Sequence, residues 1–86
     1  VHAVKKELDK AISCYEKAVE EAPGFAPARY NLACAYAQQG KAAEAIEALR
    51  KAVELDPGLL EQAKGDPDFD PIRNDKRFKE LVEKKE

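Results

Sequence analysis

An 86-residue chain with 44% hydrophobic and 37% charged residues has room for one compact domain and no more. Its formal net charge of -2, with both signs interspersed, offers no basic stripe for nucleic-acid phosphates or an anionic membrane surface. No apolar run approaches the roughly 18 residues of a membrane span, and no secretory signal is visible. The two cysteines, Cys14 and Cys34, form no CxxC unit and read as small structural thiols of a reduced compartment, so cytoplasm is the expected location. Val1 in place of a Met points to a fragment or a processed chain.

In chain order, the first element is a helix. Leu8, Ala11, Ile12, Tyr15, Ala18, Val19 and Ala22 follow i, i+3, i+4, i+7 spacing and form one apolar stripe, with Lys10, Glu16 and Lys17 on the other side. Pro23-Gly24 stops it, because proline cannot continue the hydrogen-bond ladder. A second helix is expected from about Ala26 to Gln39, with Pro27 in its first turn, where a missing N–H costs little. Ala28, Leu32, Ala35 and Tyr36 share one of its faces, and Gly40 closes it in a left-handed conformation. A very short connection leads at Lys41 to Ala43 into a third helix carrying Ala45, Ile46, Leu49, Ala52 and Val53. Such short links force neighbouring helices to pack antiparallel. Asp56-Pro57-Gly58 ends the third helix.

Residues 59–86 change character. Leu59, Leu60 and Ala63 fit a short helix ended near Gly65. Asp66-Pro67 and Asp70-Pro71 are each expected to start a single turn, with Asp as cap and Pro in first position. A last helix is expected from about Lys76 to Lys84, capped by Asn74 or Asp75. Phe69, Ile72, Phe78, Leu81 and Val82 are the expected cover for whatever apolar face the earlier helices leave open.

The chain repeats itself. Offsetting it by 34 residues pairs Ala11 with Ala45, Ile12 with Ile46, Lys17 with Lys51, Ala18 with Ala52, Val19 with Val53, Glu20 with Glu54, Pro23 with Pro57 and Gly24 with Gly58. Those are eight identities over the fourteen positions from Ala11 to Gly24, where average residue usage would supply roughly one. A fixed period of this length marks a repeat architecture.

At these residues the chain resembles the tetratricopeptide repeat family. Leu32, Ala33, Tyr36, Gly40, Ala45, Leu49, Ala52 and Pro57 stand at the spacing of one full repeat, and Ala11, Tyr15, Ala18 and Pro23 match the second half of the preceding one. The resemblance covers about residues 8–58. It implies an all-α fold, a tetratricopeptide-repeat α-solenoid of antiparallel helix hairpins with a C-terminal capping helix. The single domain 1–86 divides into a partial repeat (1–23), a complete repeat (26–58) and a closing segment (59–86). There are two departures. Arg29 stands where the family prefers tryptophan, so Tyr30 or its neighbours are expected to remake that contact, and the first repeat lacks its first helix. The closing segment resembles the end piece of bacterial members, with Lys76 in place of their proline.

Motifs with chemical meaning are few. Asp66, Asp68 and Asp70 have the spacing of a calcium loop, but Pro71 and Arg77 occupy the places where that loop needs glycine and glutamate. His2 with Cys14 or Cys34 suggests a nucleophile pair, yet His2 stands at a terminus with nothing to orient it, and three such residues are too few for zinc. No catalytic constellation and no cofactor or metal pattern is read, so no enzyme activity is expected.

The resemblance implies instead a protein-binding module, part of a larger scaffold, that takes a peptide or protein partner in a concave groove. Carried onto this chain, the groove residues are Pro27, Tyr30, Asn31, Cys34, Ala37 and Gln38, with Tyr30 as an exposed aromatic anchor. Asn31 also matches an asparagine of the clamp that some members close on a chaperone tail. Glu61 and Gly65, however, stand where that clamp needs lysine and arginine. The alternative reading is an array-terminating piece that forms a homodimer through the partly uncovered first helix.

Overall fold

The computed structural model describes the backbone of residues 2–83 and the side chains of residues 7–83. The described residues are all-helical: α1 (His2–Glu21), α2 (Ala26–Gln38), α3 (Ala42–Leu55), α4 (Gly58–Gly65), a 3-10 helix (Pro67–Ile72) and α5 (Lys76–Glu83). The expected end of the last helix at Lys84, and the side chain of His2, lie outside the described residues.

The stops fall where backbone chemistry demands. Gly40 takes φ +80, and around it the Gly40 N–H reaches the Ala37 carbonyl at 3.0 Å and the Lys41 N–H reaches that of Tyr36 at 3.0 Å. This paired arrangement satisfies the last carbonyls of a helix and favours glycine at its pivot. After α3, the Asp56 carboxylate accepts the Gly58 N–H at 3.2 Å and starts α4 at once. α5 opens on Asp75, whose carboxylate accepts the Arg77 N–H at 2.8 Å. Asp75 is therefore the cap. The Arg77 guanidinium bonded to it holds its carboxyl below the usual carboxylate range.

α2 is the centre of the molecule. α3 lies along it as an antiparallel hairpin, α1 packs on a second side and the 3-10 helix on a third. Consequently Ala26, Ala28, Tyr30, Leu32, Ala33, Ala35 and Ala37 are all buried, all round the helix and not along one stripe. α3 buries Ala45, Ile46, Ala48, Leu49 and Ala52, and α5 packs against α3 and α4. α1 is the exception. Ile12 is buried, Leu8, Ala11, Tyr15, Ala18 and Val19 are half-buried, and Ala22, expected in the stripe, is exposed.

The segment after α4 is built around two phenylalanines. Phe69 and Phe78 have ring centroids 5.5 Å apart and are among the most buried side chains of the chain. Ile72 and Val82 are buried with them, and Leu81 is half-buried. Contrary to the sequence expectation, Asp66-Pro67 and Asp70-Pro71 do not open two separate turns. They share one continuous 3-10 helix in which Asp66 caps by accepting the Asp68 N–H at 2.9 Å. Asp70 turns its carboxylate to Arg73 Nε at 2.9 Å instead. Arg73 then donates to the carbonyls of Lys64 (2.8 Å) and Asp66 (2.6 Å) and lies 5.7 Å from the centroid of the Phe78 ring. A planar fork with several fixed donors suits such a junction, where a lysine would reach one carbonyl.

Candidate functional site

The six expected groove residues all come from α2 or its first turn, and the structure separates them. Pro27, Asn31 and Gln38 are exposed, Cys34 is half-buried, and Tyr30 and Ala37 are buried. The exposed aromatic anchor expected at Tyr30 is thus corrected: Tyr30 is 5% exposed. The 3-10 helix lies on that face of α2. Phe69 meets the Tyr30 ring edge-on at 5.6 Å between centroids, and the Tyr30 hydroxyl donates to Asp66 Oδ2 at 2.6 Å. Gln38 Nε2 donates to Asp68 Oδ1 at 2.8 Å. Burial and the Asp66 carboxylate together hold the Tyr30 phenol proton well above its ordinary range.

Arg29, in the place the resemblance gives to tryptophan, is half-buried and donates from Nε to the Pro23 carbonyl at 2.9 Å. It ties α2 to the end of α1.

Cys34 meets the same segment. Its sulfur and the carboxylates of Asp66 and Asp68 lie within 4.8 Å of one another, a set of three donors that sequence spacing could not reveal because they come from elements more than thirty residues apart. Asp70 is not with them, so the three aspartates of the calcium-like spacing do not converge. Burial, reinforced by the two carboxylates, pushes the Cys34 thiol up to about 12. A metal here would have to displace that proton and also the Tyr30 hydroxyl, the Asp68 N–H and the Gln38 amide. As it stands the cluster is a hydrogen-bonded clasp holding the 3-10 helix on α2.

Beside the clasp a groove of about 240 Å³ runs between α1 and α2, its lining made by Leu8, Ala11 and Tyr15 on one side, Asn31, Cys34 and Gln38 on the other, and Asp68 of the 3-10 helix. It joins three of the expected groove residues to the half-buried stripe of α1. Its other wall is tied to α2 by Tyr36, whose hydroxyl donates to Glu16 at 2.5 Å. That bond, more than burial, raises the Tyr36 phenol to about 12. Gln39 Nε2 donates to Asp9 nearby. A larger concavity of about 580 Å³ lies between α4 and α5, over Lys64, Arg73, Phe78 and Lys79. There Arg73 is fully engaged and Lys64 pairs with Glu61 at 3.2 Å.

Among the described residues no helix is long and apolar enough to cross a membrane. Residues 5–59 match the family model described as tetratricopeptide repeat. No curated protein and no solved structure matches the chain.

Proposed function

Because the chain belongs to the tetratricopeptide repeat family, whose repeats generally mediate protein–protein interactions and are typically non-catalytic, we propose that it is a protein-binding module whose partner docks in the groove between α1 and α2. One observation supports this place over the face of α2 that carries Tyr30. The face carrying Tyr30 and Ala37 is already filled by the 3-10 helix, whereas Leu8, Ala11, Tyr15, Asn31, Cys34 and Gln38 line an open groove. Half-buried apolar side chains beside polar ones give a partner area to bury and groups to orient it. Fixed helical walls spare the ordering cost that a loop would carry. In this reading residues 1–23 and 26–58 are the repeat units and 59–86 is the closing segment, which also removes one face of α2 from partner binding. Such a module serves within a larger scaffold.

A photo-crosslinking residue tests the reading. Installed at Gln38, it should capture a protein from cell extract, and Asn31→Ala and Tyr15→Ala should each lower the yield. Installed at Glu54, exposed on α3 away from the groove, it should not. Equal capture at both places, or none at Gln38, sinks the assignment.

A further inference from the structure

We draw no further inference here: the strongest candidate, the concavity of about 580 Å³ between α4 and α5, has its Arg73 engaged by Asp70 and by the carbonyls of Lys64 and Asp66 and its Lys64 paired with Glu61, and nothing in the structure shows what covers it.

Discussion

α1 and α3 present the same residue types at the same spacing to different surroundings. Over α3, α2 lies on one side and α4 and α5 on others, and its small residues Ala45 and Ala52 let those helices come close. Over α1, among the described residues, only α2 is heavily engaged, and the matching Ala11 and Ala18 keep part of their surface. Sequence periodicity therefore states which face wants cover; the neighbours decide how much it receives. Burial of a residue is a property of the pair of elements, and a repeat exposes this because it holds the pattern constant.

Truncation breaks the comparison most sharply. Leu49→Ala should cost about 2–5 kcal/mol, the range for opening a cavity in a closed core. Tyr15→Ala, its counterpart on α1, should cost clearly less, because part of that ring never left water and the site can relax. Urea unfolding of both variants measures this. Equal losses would mean that the α1 face is as enclosed as that of α3.

Enlargement sharpens it in the other direction. Ala52→Leu should overpack a contact with no free surface and destabilise by about 1–3 kcal/mol. Ala18→Leu has solvent on one side and should stay within about 0.5 kcal/mol. Thermal melts suffice, and a neutral Ala52→Leu would remove the close-packing argument from α3.

A smaller effect is expected on the third side of α2. Tyr30→Phe keeps the ring against Phe69 and removes the hydroxyl from Asp66, a hydrogen bond to a charged group worth about 1.5–3 kcal/mol at most and less where water can reach the carboxylate. Hydrogen exchange at Asp68 and Phe69 should rise in the same variant as the 3-10 helix loosens. Unchanged exchange would show that the phenylalanines alone hold that segment.

The clasp also shows where reading the sequence ends. The stops at Pro23, Gly40 and Pro57, the period itself, and the burial of Ala45, Leu49 and Ala52 follow from backbone chemistry and local spacing, and all were legible. Tyr30 was not. α2 is buried on nearly every side, so its apolar residues form no stripe that distinguishes a core face from a groove face. The residue that covers Tyr30 is Phe69, beyond the ends of α2, α3 and α4, and no local rule ties the two together. The Asp70-Pro71 pair misled for a related reason: a dipeptide that often caps a helix was recruited by Arg73, whose reach to Lys64 and Asp66 depends on the folded turn. Of the expected site, Asn31, Cys34 and Gln38 came together because they share one helix face. Leu8, Ala11 and Tyr15 joined them through packing that their own pattern announced only as a need for cover.

Alkali gives the last and mildest test, and it acts on the two sides of α2 together. Cys34 and Tyr30 on the clasp, and Tyr36 toward α1, all hold their protons more tightly in the fold than an unfolded chain would. Each is neutral in both states at pH 7, so none affects stability there. From about pH 8, where a free thiol begins to ionise, and more steeply from about pH 9, where free phenols do, the unfolded chain releases protons that the folded one keeps. Stability must then fall as pH rises. Cys34→Ala should flatten the part of that fall nearest pH 9, and Tyr36→Phe the part above 10, on the α1 side only. Urea midpoints measured at pH 7, 9 and 10.5 decide it, and a profile level to pH 10.5 in the wild type would mean that these protons are held no more tightly in the fold than out of it.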